Sequence, residues 1–396
     1  MPFAKTLRVL AICLTASLLV PTPQAAANPL NLPDWVKPGS QIVFEVTVAG
    51  SAGAAAGYTV LDVVSVTPQG VVFDETILSQ NHGQQGLALT KWHPLTVDPI
   101  TILAGMSYIA RPQDLAQIPS GKKITVSRGT WDVNGKPTDA VFRTLIHSSR
   151  QNYVDANDPT KTVVRDDERM VIQQAFDANT GVLLNDVSRQ YESATVFNDK
   201  GEPLNPHTRV ALGSTKSFRH ARDLSGAPWM NQSWPAWTQT LRGLEYAGAV
   251  HVSPPGVPPF AIPFRSRLSV TDRGDGWVRG TITSVQGDAM SGGGVPEESP
   301  FFCTVNSLGN LWMSPDALIA TANLAANNQG VVDREPVTGT TTYCQREGNN
   351  VSIMLQTTNG DQMVSVYDLQ SGLVVRKIIK RGPMGQVLDV TLQNRF

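Results

Sequence analysis

The chain of 396 residues carries 32 Lys+Arg against 33 Asp+Glu, a formal net charge of −1, and only 16% of its residues are charged. With no cationic cluster beyond Arg376-Lys377 and Lys380-Arg381, this balance excludes nucleic acid as a partner, because phosphate binding draws its strength from grouped positive charge. The 33 Gly and 27 Pro predict many turns, and the length allows two separate cores.

Residues 1–27 read as a signal peptide. Lys5 and Arg8 supply the positive start, residues 9–20 an apolar run, and Ala25-Ala26-Ala27 the small residues before a cut ahead of Asn28. The run is shorter than the roughly 20 residues a bilayer requires, so no transmembrane span is expected and the product is exported to the periplasm or beyond. Cys13 follows Leu10-Ala11-Ile12, but Ile12 is bulkier than a lipoprotein acylation site accepts. Removing the leader takes away two cations and leaves a modest acidic excess.

After a Pro-rich start, residues 42–48 and 58–66 alternate apolar and polar side chains, as half-buried strands do. Thr67-Pro68-Gln69-Gly70 is a turn, and residues 71–78 complete an antiparallel hairpin. Arg111-Pro112-Gln113-Asp114-Leu115 then predicts a short helix that breaks at Pro119. Residues 155–168, with Asp155, Asn157, Asp158, Asp166, Asp167 and Glu168, gather oxygen ligands. Pro159 and Thr160 stand where a calcium loop needs a ligand and a Gly, so a solvated acidic loop is expected. In Phe176-Asp177-Ala178-Asn179-Thr180-Gly181-Val182-Leu183 the Asp caps a tight turn and the Gly supplies its left-handed residue.

Residues 198–240 read as a connector rich in turn formers and holding Trp229, Trp234 and Trp237. The five prolines between 253 and 263 exclude a helix or a central strand there. Residues 265–271 and 277–284 form a second hairpin. Ser314-Pro315-Asp316 is a helix start, with Ser as N-cap and Pro at the first position. Leu318, Ile319, Ala322 and Leu324-Ala325 continue it until Asn327-Asn328-Gln329-Gly330 stops it. Tyr367-Asp368-Leu369-Gln370-Ser371-Gly372-Leu373-Val374 repeats the capped turn. Cys303 and Cys344, an even pair in an exported chain, predict a disulfide closing a loop of about 40 residues, contributing about 3–4 kcal/mol.

Three phrases thus occur twice in one order, offset by roughly two hundred residues, as an internal duplication requires. Gly70-Val71-Val72-Phe73 answers Gly276-Trp277-Val278-Arg279; Tyr108-Ile109-Ala110-Arg111-Pro112 answers Leu311-Trp312-Met313-Ser314-Pro315; and the two Asp–Gly turns answer each other. The expected architecture is mainly β (α+β): two tandem curved antiparallel sheets, each clasping a short helix, over residues 28–197 and 241–396. On the two turn phrases and the Pro315-led helix, each copy resembles the lipoprotein-carrier fold of the LolA/LolB type, over about a third of its length. The resemblance implies an apolar or lipidated cargo held in the concavity of a sheet.

Catalytic motifs are lacking. There is no Gly-x-Ser-x-Gly, and Ser120-Gly121-Lys122-Lys123 has a Pro119 and a Gly that make it a turn. His82, His93, His147, His207, His220 and His251 stand singly, without metal spacing. Gly292-Gly293-Gly294 reads as a flexible loop. Leu388, Val390, Leu392 and Phe396 alternate as in outer-membrane strands, but Asn394 interrupts them, and the helix and the prolines fit a barrel poorly.

No cofactor or metal is expected. The strongest binding lead is Trp229, Trp234, Trp237 and Tyr246, either a platform for an apolar ligand, a lipid or an envelope protein, or the weld between the two copies. The expectation is an exported binding protein. Two other classes stay open. A structural or interaction module predicts filled cores and an exposed apolar patch; a hydrolase predicts a pocket where His and carboxylates meet only in space.

Overall fold

The computed structural model describes residues 35–396 apart from 51–52, 68–69, 80–88, 95–107, 119–123, 155–162, 198–199, 201, 203–206, 231, 254–255, 257, 275–276, 288–296, 307 and 382–385. The signal peptide, the Ser120–Lys123 turn, the Gly292–Gly294 loop and residues 155–162 of the expected acidic loop therefore lie outside the described residues. Asp166, Asp167 and Glu168 lie within a strand.

The chain folds as two antiparallel sheets. The first holds β1 (Ser40–Gly50), β2 (Gly53–Thr67), β3 (Gly70–Ser79), β4 (Leu89–Pro94), β5 (Ile124–Val133), β6 (Lys136–Val154), β7 (Val163–Asp177), β8 (Leu183–Phe197) and β9 (His207–Asp223), in the order β4-β3-β2-β1-β9-β8-β7-β6-β5. The second holds β10 (Gly243–Val252), β11 (Phe260–Gly274), β12 (Trp277–Gln286), β13 (Glu297–Thr304), β14 (Val331–Arg334), β15 (Thr341–Glu347), β16 (Asn350–Gln356), β17 (Gln362–Asp368), β18 (Val374–Arg381) and β19 (Gln386–Arg395), in the order β13-β12-β11-β10-β19-β18-β17-β16-β15-β14. In each unit four strands meander outward, the Pro-centred phrase crosses over, and a second meander returns until its last strand pairs with the first. The second unit differs by one short edge strand, β14. His207–Asp223 fall in the stretch read as connector, yet they form β9, a central strand flanked by β1 and β8.

The Pro-centred phrases dock on the capped turns in the same way. Asp177 Oδ1 accepts from the N–H groups of Asn179 and Thr180, and Asp368 Oδ2 from the N–H and hydroxyl of Ser371. Gly181 and Gly372 hold φ of +71° and +70°. Their carbonyls accept from Ala110 N and Met313 N, while Tyr108 O and Leu311 O accept from Leu183 N and Val374 N. A side chain at either Gly would run into the backbone oxygen of Ala110 or Met313, so both conformation and close approach demand Gly.

The phrases then diverge. In the second unit they start the α-helix α1 (Pro315–Ala326), with Ser314 Oγ accepting from Ala317 N at 3.2 Å. Its buried stripe is Leu318, Ala322 and Ala325; Ile319 and Leu324 of the expected stripe face outward. In the first unit there is a single 3-10 turn, Pro112–Asp114, and Tyr108, Ile109, Ala110 and Leu115 supply the burial instead. They pack with Phe44, Phe73 and Phe176, each burial contributing about 1.5–3 kcal/mol.

The predicted disulfide is not formed: Cys303 and Cys344 are both buried and not bonded to each other. Cys303 is in β13 and Cys344 in β15, and seven strands separate these two along the sheet, so proximity in sequence does not become adjacency. Cys303 Sγ donates to Asn310 Oδ1 at 2.9 Å instead. Burial pushes the thiols up to about 12 and about 11 respectively.

β1 departs from a half-buried strand, for Ser40 to Phe44 are buried on both faces. Ile42 and Phe44 enter the first unit's core. Val43 faces the other way and joins Val60 and Leu78, with Val337 of the second unit packed against them. The second unit thus covers the outer face of β1–β3.

Candidate functional site

A row of polar side chains runs across that covered face. Register pairs Arg222 of β9 with Gln41 of β1, Gln41 with Asp62 of β2, and Asp62 with Asp74 of β3. Gln41 Nε2 donates to Asp62 Oδ1 at 2.6 Å, and Arg222 Nε donates to Gln41 Oε1 at 2.5 Å. The guanidinium reaches on to the second unit, donating from Nη1 and Nη2 to the two oxygens of Asp333, each at 2.7 Å. This planar, bidentate pair is the strongest geometry an ion pair takes. Asn306 Nδ2 adds a bond to Val64 O at 3.2 Å.

Beside this row lies a cavity of about 90 Å³, large enough for a few water-sized groups. The first unit contributes Gln41, Asp62, Asp74 and Arg222. The second contributes Asp333, Glu335 and the aligned row Thr342, Leu355 and Met363. Trp229 and Met230 of the connector complete the wall.

Its electrostatics are strained toward excess negative charge. Burial pushes the Asp62 carboxyl up to about 7; Asp74 and Asp333 add to the rise, while the Gln41 hydrogen bond and Arg222 oppose it. For Arg222 burial works against the charge, but the Asp333 pair overcomes it and holds the guanidinium above its ordinary value. Lys377 is held below its ordinary value by burial, against the pull of Asp74. Glu335 is 4% exposed. Its Oε2 accepts from Val337 N and Thr338 N, whereas its Oε1 is buried with no hydrogen-bond partner among the described residues. An unmet buried carboxylate oxygen is costly.

A second buried polar row crosses the interior of the first sheet: Arg143, Gln174 and Asp186 face one another on β6, β7 and β8. Arg143 donates from Nη1 to Leu115 O and Gln117 O, tying the strand to the Pro-centred phrase, and Gln174 donates to Asp186 at 2.7 Å. Burial raises the Asp186 carboxyl, against Lys216 and the Gln174 bond.

The aromatic residues singled out from the sequence are not gathered on one surface. Trp229 and Tyr246 are buried in the second unit's core; Trp234 and Trp237 pack against it half-exposed. Trp234 lies against Trp312 with ring centroids 5.9 Å apart, Arg395 stacks over Trp237 at 5.1 Å, and the Tyr246 hydroxyl donates to Val374 O. Only Trp229 of the four lines the cavity. Among the described residues no histidine lines it, and no group of three or more His, Cys, Asp or Glu is placed to hold a metal ion. Sequence reasoning missed Gln41, Asp62, Asp74, Arg222, Asp333 and Glu335. The one local signal was a polar residue inside an apolar run, as in Leu61-Asp62-Val63 and Val72-Phe73-Asp74.

The chain matches no family model and no curated protein. Among solved structures it is similar to the crystal structure of MucB in complex with MucA(peri), with 14% identity, covering 84% of this chain and 87% of that one, at a TM-score of 0.16. A likeness of that degree carries no statement about fold or function.

Proposed function

We propose that the protein is exported to the cell envelope and acts there as a binding protein, taking an apolar ligand, a lipid or a protein partner at the junction of its two units. The observation that carries this reading is the cavity itself, where polar groups of both units converge beside Trp229, Met230, Leu355 and Met363. Trp229 is its aromatic wall. Tyr246 lies in the second unit's core, and Trp234 and Trp237 pack against it.

Export rests on the leader at 1–27. No helix of the described residues is long and apolar enough to cross a membrane. The two units descend, in this reading, from one duplicated module of the LolA/LolB type. Three repeated phrases, a shared strand order and the matched docking of Ala110 on Gly181 and Met313 on Gly372 support that descent.

Native mass spectrometry of the protein purified from its own envelope tests the function. A co-purifying lipid, small molecule or protein is the expected result. A bare chain, whose amide exchange around residues 60–64 and 333–342 is unmoved by envelope extract, would count against binding at this junction.

A further inference from the structure

The two sheets have four outer strands, β4, β5, β13 and β14. β4 and β13 lie against each other, and β14 is only four residues long. β5 differs: it has ten residues, runs in unbroken register with β6, and has no strand on its other side among the described residues. The turn Asn134-Gly135, with both φ positive, closes the β5–β6 hairpin at Val133 and Lys136. A two-residue turn of this kind makes its closing pair a hydrogen-bonded one, and such pairs alternate along the ladder. Ser127, Gly129, Trp131 and Val133 therefore bond to β6. Val126, Arg128, Thr130 and Asp132 turn their N–H and C=O groups outward, where no described strand meets them. A long edge of this sort is a template for another strand. β5 carries neither a Pro nor a bulge to prevent it, and its charges are self-complementary.

We propose that β5 pairs antiparallel with β5 of a second copy of this chain, about a two-fold axis at Thr130, joining the first sheets of two copies into one. In that register Arg128 stands opposite Asp132 of the second copy, twice over by symmetry, on one face of the sheet. Both side chains are exposed, and Asp132 spends one oxygen on capping the turn, accepting from Gly135 N at 2.8 Å. Centring the pair on Arg128 or on Asp132 instead would oppose like charges, so charge selects Thr130. On the other face Gly129 meets Trp131 of the second copy. These are non-hydrogen-bonded pairs, in which side chains come closest. A Gly inside a strand marks a close approach, and an aromatic ring across the ladder covers the gap left by its missing side chain. Gly129 already lies under Phe142, where a Cβ would stand 3.1 Å from the nearest ring carbon. Trp131 is half-buried, its ring centroid 6.2 Å from that of Phe142. The pairing brings the Trp131–Phe142 couples of both copies together over the two glycines.

Sedimentation velocity of the full chain over a concentration series tests this. A reversible dimer is expected at concentrations up to about 100 μM. Thr130→Pro removes an outward N–H at the axis and leaves the bonds to β6 in place. An edge strand tolerates Pro at such a position, so this variant should be folded and monomeric. Arg128→Asp sets like charges opposite each other at both ends of the pairing and should weaken the dimer about tenfold or more. Asp132→Arg should do the same. Mixed in equal amounts, the two charge variants regain opposite charges at both ends and should associate with each other as tightly as the parent does. Loss of the turn cap or of local structure cannot produce that rescue. Thermal melts matching the parent identify the folded variants; should a charge variant not fold, Thr130→Pro decides, and the reverse holds as well. A chain that stays monomeric, a dimer indifferent to Thr130→Pro, or folded Arg128→Asp and Asp132→Arg that fail to associate overturns the proposal.

Discussion

Arg222 of the first unit grips Asp333 of the second through two parallel hydrogen bonds of 2.7 Å each, with both side chains about four-fifths buried. The pair links the sheets where their polar faces meet, and Gln41 orients the guanidinium from behind. A double-mutant cycle of Arg222→Ala and Asp333→Ala should give a coupling of about 1–3 kcal/mol in urea denaturation. Each single change should cost more than the coupling accounts for, because it strands the other charge. Additive singles would mean that the pair contributes nothing to joining the units.

Asp62 makes stability fall with rising pH. Its carboxyl stands at about 7 in the folded chain against about 4 when unfolded. Between these values the folded state holds a proton that the unfolded state releases. The associated stability is complete below about pH 4 and is lost as pH rises through 7. Asp62→Asn, which keeps an oxygen for Gln41, should flatten this slope. It should raise stability at pH 8 by on the order of 2 kcal/mol and change it little at pH 4. Chemical denaturation at the two pH values measures both, and parallel pH profiles for parent and variant would dispose of the idea. Asp74, Asp333 and Arg222 act on the same carboxyl, so the transition should be broadened.

Gly181→Ala and Gly372→Ala should each destabilise by about 2–4 kcal/mol, through a left-handed φ and a collision with Ala110 O or Met313 O. Gly135→Ala serves as a comparison: it shares a positive φ, but a side chain there meets open space. It should cost only about 1 kcal/mol. Equal losses at all three positions would show that the docked phrases add nothing beyond backbone strain.

Cys303 and Cys344 should both alkylate in denaturant without any reductant, as read by mass. In the native state they should react slowly, since burial keeps them protonated at neutral pH. A parent mass two hydrogens short, with no alkylation until a reductant is added, would restore the disulfide.

The local parts of this fold were legible in the sequence because their causes are local. Ser314 and Pro315 start a helix through their own backbone chemistry, and Asp177–Gly181 and Asp368–Gly372 form turns from five residues each. The hairpins followed from alternation. The first-unit helix shrank to a single turn, and β9 was lost in the connector, because neither carries a strong periodic signal of its own.

What the sequence by itself determined is therefore the repertoire of pieces: strands, two capped turns, one capped helix and their doubled order. Tertiary structure alone decided the rest. Residues 41, 62, 74 and 222 share nothing in sequence; only strand register lines them up, and the second unit packs against the same face of β1–β3. A disulfide inferred from an even pair of cysteines fails for the same reason, since seven strands intervene between them. Side-chain burial and charge are properties of neighbours, and neighbours in a sheet are chosen by pairing across long loops rather than by proximity along the chain.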